Sequence, residues 1–102
     1  MKELKPLTLR ILSHEIKVVF DDPKLWNRDS LGRAHMNAGL IQINKTMTVD
    51  AIVSTLLHEI VHIGSDILSI ELSEQQIDCA AATIFSALRD NPKLVAMFQE
   101  SR

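Results

Sequence analysis

Two histidines four residues apart with a glutamate behind the first, His58-Glu59-Ile60-Val61-His62, are the residues of this chain whose types and spacing add up to chemistry. On an α-helix, positions i and i+4 stand about 6 Å apart along the axis and share one face. Both imidazoles can then reach a single Zn²⁺ at about 2.0–2.1 Å. Glu59 is rotated roughly 100° from His58. That takes it off the ligand pair but leaves it within reach of a water at the metal, where a general base belongs.

Chance is a poor explanation of the pattern. With four His and six Glu in the chain, the expected number of accidental HExxH matches is on the order of 0.01. Between Thr55 and Gly64, His58, Glu59 and His62 are also the only strongly polar groups in an otherwise apolar run. Burying them without a use is expensive.

A catalytic zinc takes three protein ligands plus water, and a structural zinc takes four. The acids that follow the motif are Asp66, Glu71, Glu74 and Asp78. Glu74 and Asp78 are four apart and share a helix face. This suggests a division of labour, with Glu74 as third ligand and Asp78 accepting a ring N–H of a ligating histidine. The competing explanation is that both acids simply favour the positive end of a helix. Asp66, four beyond His62, stands about 12 Å along the axis from His58 if the helix continues past Gly64, too far to ligate.

The elements that must position these groups fall into two halves. Leu7 to Leu12 and Ile16 to Phe20 read as strands, with Ser13-His14-Glu15 as the turn. Asp21-Asp22-Pro23 ends the second strand, and residues 23–31 read as a surface loop, with Trp26 folded back onto the core. Arg33 to Met36 pairs with the strand Leu40 to Asn44 across Asn37-Ala38-Gly39. Thr48 caps a helix apolar on more than one face, a pattern of burial, and Gly64 suggests its end. Ser73 and Gln76 fit a capping box opening a second helix to about Arg89, with Ile77, Ala81, Ile84, Phe85 and Leu88 inward. Asn91 or Asp90 caps a third, short helix with Pro92 in its first turn. Strands followed by helices give an α+β domain, a small N-terminal sheet packed on the HExxH helix, the glutamate helix and a short C-terminal helix. The length fits one domain over residues 1–102.

HExxH followed by a helix bearing Glu74-Gln75-Gln76-Ile77-Asp78 resembles the gluzincin type of zinc metallopeptidase. The length is similar to that of its minimal members, the minigluzincins. STLLHEIVHI followed by LSEQQIDCAAATIFSALRDNPKL also resembles small peptidases of phages and prophages grouped with ImmA/IrrE-type proteins. The resemblance extends over nearly all the chain. It implies a zincin-like fold with the strand at residues 40–44 as the sheet edge lining the cleft, where an extended peptide could add as a further strand. It implies His58, His62 and Glu74 as zinc ligands and Glu59 as base.

Composition removes several other classes. The net charge of −2 comes with no basic stripe, so nucleic acid is not expected as a partner. Cys79 is the only cysteine, which excludes an internal disulfide, a CxxC pair and a multi-cysteine zinc knuckle. Its expected place is the core, beside Ile77–Ala81. Met36, Met47 and Met97 are read as packing residues, and His14 as a solvated turn residue. We read no signal peptide at the N-terminus, and the longest apolar segment is interrupted by the motif and too short to span a membrane. Cytoplasmic residence is the resulting expectation.

The function expected is therefore zinc-dependent hydrolysis of a peptide or protein. Arg89, Arg33 and His35 are the available partners for an oxyanion, although a solvated surface suits each. The alternative is a zinc-stabilised binding or regulatory module of phage origin. The absence of tyrosine as an oxyanion donor favours that alternative, and the presence of Glu59 disfavours it, since a structural site needs no base. Either way the motif predicts about one zinc per chain. Elemental analysis of protein purified without chelator should find it, and His58→Ala should lose it. A chain that stays metal-free in added zinc would refute the prediction.

Overall fold

The computed structural model describes residues 4–22 and 31–101. Within them the strands are β1 (Leu7–Ile11), β2 (His14–Asp21), β3 (Gly32–His35) and β4 (Leu40–Asn44). The helices α1 (Val49–Leu68), α2 (Glu74–Asp90) and α3 (Pro92–Glu100) follow. The chain is α+β, as its pattern of strands then helices predicts. The surface loop expected at residues 23–31, with Trp26, lies outside the described residues except for the exposed Leu31.

β1 and β2 form an antiparallel hairpin in which Ile11 faces His14. The turn is Leu12-Ser13, shorter and earlier than the expected Ser13-His14-Glu15. Both residues have positive φ, 47° and 70°, the conformation whose twist matches a two-residue hairpin. His14 already belongs to β2, and its Nδ1 donates to the Leu12 carbonyl at 2.9 Å.

β3 and β4 pair antiparallel with Ala34 opposite Ile41, across the Asn37-Ala38-Gly39 segment that the sequence marks as a turn. Met36–Ala38 forms a single 3₁₀ turn there, and Gly39 closes it at φ 60°. β4 also runs parallel to β2, with Val18 opposite Ile41. The sheet order is therefore β1-β2-β4-β3. This corrects one expectation: β4 is interior, and β3 is the edge strand on that side. The reason is that β3 folds back along β4 and covers the side that would otherwise be the edge.

One face of the sheet is apolar by period-2 alternation. Ile16, Val18, Ile41 and Ile43 are buried from the strands, and Ile52 and Ile63 meet them from α1. Leu56, Ile60 and Ile67 pack against the same cluster, so α1 lies on the sheet along much of its length. Thr48 caps α1, its Oγ1 accepting from the Ala51 N–H at 3.2 Å.

Gly64 does not end α1. An interior glycine costs about 1 kcal/mol relative to alanine, but Ile63 and Ile67 on either side of it are held by the core. The helix continues to Leu68 and stops at Ser69, which takes the left-handed φ of 55°. At twenty residues, α1 is long and apolar enough by length and composition to cross a bilayer, a test that the core helix of a soluble protein also passes. The segment is thus longer than the sequence reading allowed.

α2 opens with the full capping box. Gln76 N–H donates to Ser73 Oγ at 3.1 Å, and Ser73 N–H donates to Gln76 Oε1 at 2.8 Å. Ile77 and Ala81 are buried against α1, whereas Ile84, expected inward, is exposed. Cys79 is exposed too, contrary to its expected core position. Two residues on from the buried Ile77, a helical side chain points to the opposite side. Met97 on α3 is likewise exposed, because α3 packs chiefly on α2 and turns that side to solvent. Met36 and Met47 do pack on the core.

The Ser69 cap generates a stability prediction. Glycine adopts the left-handed conformation without a Cβ penalty. Ser69→Gly should stabilise the protein by a few tenths to about 1 kcal/mol, read as a higher urea midpoint with an unchanged slope. An unchanged or lower midpoint would contradict it.

Candidate metal centre

The phase of α1 distributes the motif between two neighbours. Ile52, Leu56, Glu59 and Ile63 recur at three and four residues and face the sheet. His58 and His62, one helical step away, face α2. Their rings meet edge to face, with centroids 4.9 Å apart. The structure thus brings the two imidazoles together and puts Glu59 on the neighbouring, sheet-facing row, with a carboxylate oxygen still within 4.8 Å of a nitrogen of each ring.

α2 supplies the carboxylates. Its capped first turn places Glu74 directly over the pair. Glu74 Oε1 lies 3.2 Å from His62 Nε2, and Oε2 lies 3.5 Å from His58 Nε2. One turn on, Asp78 Oδ1 lies 2.9 Å from His58 Nδ1. A carboxylate can only accept there, so Nδ1 donates to Asp78, and Nε2 is the ring nitrogen left facing Glu74. That contact orients the His58 ring with Nε2 toward Glu74, the orientation a ligand there needs.

Both Glu74 contacts are long for direct ion pairs, and each uses a different carboxylate oxygen. A charge-assisted N–H···O bond runs at about 2.7–2.9 Å, shorter than either Glu74 contact. Bonds of about 2.0–2.1 Å in tetrahedral coordination put neighbouring ligand atoms about 3.3–3.4 Å apart. The two contacts bracket that value. Ligand atoms of His58, Glu59 and His62, and separately of His58, Glu74 and Asp78, lie within 4.8 Å of one another. The donor set of imidazole nitrogens and carboxylate oxygens could hold a divalent metal.

Glu59 carries the most unusual environment. It is the one charged residue buried among those described, 6% exposed, and its Oε2 has no hydrogen-bond partner. Burial raises its pKa above the ordinary carboxyl range. The His62 and His58 imidazoles pull it back, Glu74 adds to the rise, and His35 opposes it. A cleft of about 430 Å³ opens beside it, lined by Gly32, Thr55, His58, Glu59 and Asp78 among others. The strand bordering this cleft is β3, not β4.

A second groove of about 310 Å³ runs along the other side of His62, past Ser65, Asp66, Ser69 and Glu71. Asp66 and Glu71 are exposed there, and neither carboxylate is paired with an imidazole in the structure. Of the oxyanion candidates, Arg89 pairs with Asp50 at 3.6 Å and lies over the Phe85 ring. Arg33 donates from Nε to Gln42 Oε1 at 3.1 Å, and His35 Nε2 lies 2.9 Å from the same oxygen. His35 is the one whose charge reaches Glu59. Gly32 and Thr55 are cleft residues that sequence reasoning did not single out. Neither type carries chemistry, and their meeting is a long-range contact.

The geometry ranks the four acids. Titrated with Zn²⁺, Glu74→Ala should lose the most affinity and Asp78→Ala about 10–100-fold. Asp66→Ala and Glu71→Ala should bind almost as the parent does. Near-normal affinity in Glu74→Ala with a large loss in Glu71→Ala would reverse the assignment.

Set beside known proteins, the chain matches no family model, no curated protein and no solved structure.

Proposed function

We propose that this protein is a zinc-dependent hydrolase of peptide bonds, with a peptide or protein as its substrate. His58, His62 and Glu74 hold the metal, and Glu59 is the general base. The observation that carries the reading is Glu59, buried with its Oε2 unpartnered beside two imidazoles that α2 orients. A zinc ion there supplies a Lewis acid for a carbonyl and acidifies water.

The chain's own groups do the rest. Glu59, raised in pKa by burial, takes a proton from the attacking water and returns it to the leaving amine. Asp78 keeps the His58 N–H on Nδ1 and so holds Nε2 toward the metal. Glu74, 72% exposed at its side chain, leaves the site open to solvent on the α2 side. The cleft between β3 and α1 is the place for an extended chain to lie.

A zinc-stabilised binding module is the second reading, and the engagement of Arg89 with Asp50, away from the imidazoles, is the observation that favours it. One substitution separates the two. Glu59→Gln should retain zinc and fold while lowering turnover of a fluorogenic peptide pool by about 10²–10⁴-fold. Hydrolysis by the variant at the parent rate would show that Glu59 is not the base. A zinc-loaded parent inactive on every peptide would favour the binding module.

A further inference from the structure

We propose that Gly32 sets the distance between β3 and α1, and with it the width of the cleft beside Glu59, which makes it a positioning residue for an extended peptide backbone. The proposal rests on the hydrolase reading above and names the element that would seat the substrate.

Gly32 is glycine for space, not for backbone conformation, since its φ lies outside the left-handed region. A Cβ built there would stand 2.8 Å from Thr55 Cγ2, 3.1 Å from the Gln42 carbonyl oxygen and 3.1 Å from Ile43 Cδ1. Each partner resists. Thr55 is β-branched in the interior of α1, so its methyl has few places to go. The Gln42 oxygen is backbone of β4. Ile43 is fully buried in the core. The start of β3 is also tied to β4, with Asn44 N–H donating to the Leu31 carbonyl at 3.0 Å. A side chain at position 32 therefore presses hardest on α1, through Thr55, and also on β4, and β3 must shift unless these neighbours give way.

That movement would be felt at the site. Thr55 is four residues before Glu59, one turn earlier on the same row of α1. Gly32, Thr55 and Glu59 line one cleft. The contact that excludes a Cβ is thus one helical turn from the carboxylate, on the wall along which a peptide would run. The three atoms nearest to that Cβ belong to Thr55, Gln42 and Ile43 and not to the imidazoles, Glu74 or Asp78, which makes the metal and the seat for the peptide separable by substitution.

Two hydroxamates read the two functions separately in the full-length, zinc-loaded protein. Acetohydroxamate chelates the metal and little else, whereas a dipeptide hydroxamate must also fit between β3 and α1. Gly32→Ala should weaken the dipeptide hydroxamate about 10–100-fold, the loss typical of a displacement near 1 Å, and leave acetohydroxamate and zinc affinity within about twofold. Adding Thr55→Ser, which removes the Cγ2 at 2.8 Å, should recover most of the loss. Thr55→Ile with Gly32 retained enlarges the same contact from the helix side and should reproduce the selective loss, should Gly32→Ala not fold. Equal weakening of both hydroxamates, weakening of neither, or no recovery with Thr55→Ser would overturn the proposal. A parent protein that takes up zinc but binds neither hydroxamate, or takes up no zinc, would refute the hydrolase reading itself and this inference with it.

Discussion

Leaving a buried polar group without a partner costs about 1–3 kcal/mol, and more when it is charged. Glu59 is held in that state on the sheet-facing row of α1, in line with Ile52 and Ile63. A fold gains nothing from a carboxylate there. An apolar side chain would extend the core that Ile16, Val18, Ile41 and Ile43 already form. What stands beside it are the two imidazoles one step round the helix, whose charge offsets part of the effect of burial on its carboxyl.

The helical repeat turns this one constraint into the layout of the site. A step of about 100° separates the row that meets the sheet from the row that meets α2. Glu59 is therefore desolvated by β-strands, while the imidazole nitrogens are oriented by carboxylates from another helix. α2 can serve because its start is well defined. The reciprocal Ser73–Gln76 cap fixes where its first turn begins, and so where Glu74 and then Asp78 stand. Favour from the helix dipole explains an acid at the first turn. It does not explain why one carboxylate meets both imidazoles, nor why the next one meets His58 Nδ1. Pairs this exposed contribute little to stability.

The sheet has a corresponding role. β4, like β2, is paired on both sides. β3 hangs on it and carries the wall of the cleft. Gly32 allows that wall to approach α1 closely, which joins the packing of the sheet to the shape of the site.

Much of this was legible in the residues alone. The HExxH spacing placed His58 and His62 together and Glu59 apart, because helix geometry is local and depends on no distant contact. The Thr48 cap and the Ser73–Gln76 box were legible for the same reason, as was the β3–β4 turn before Gly39. Elsewhere local signals pointed the wrong way. Gly64 read as a helix end, yet Ile63 and Ile67 packed on the sheet carry α1 through it. Cys79 read as core, yet the helical phase set by Ile77 and Ala81 turns it outward. Strand order was not legible, because pairing between β2 and β4 depends on which edges meet across the chain, and nothing in either strand records its neighbour. So the sequence determined which groups could act on a metal and how they divide along a helix. Only the tertiary structure decided that Glu59 is buried, that Glu74 stands over both imidazoles, and that β3 rather than β4 walls the cleft, since each of these is set by the packing of elements far apart in the chain.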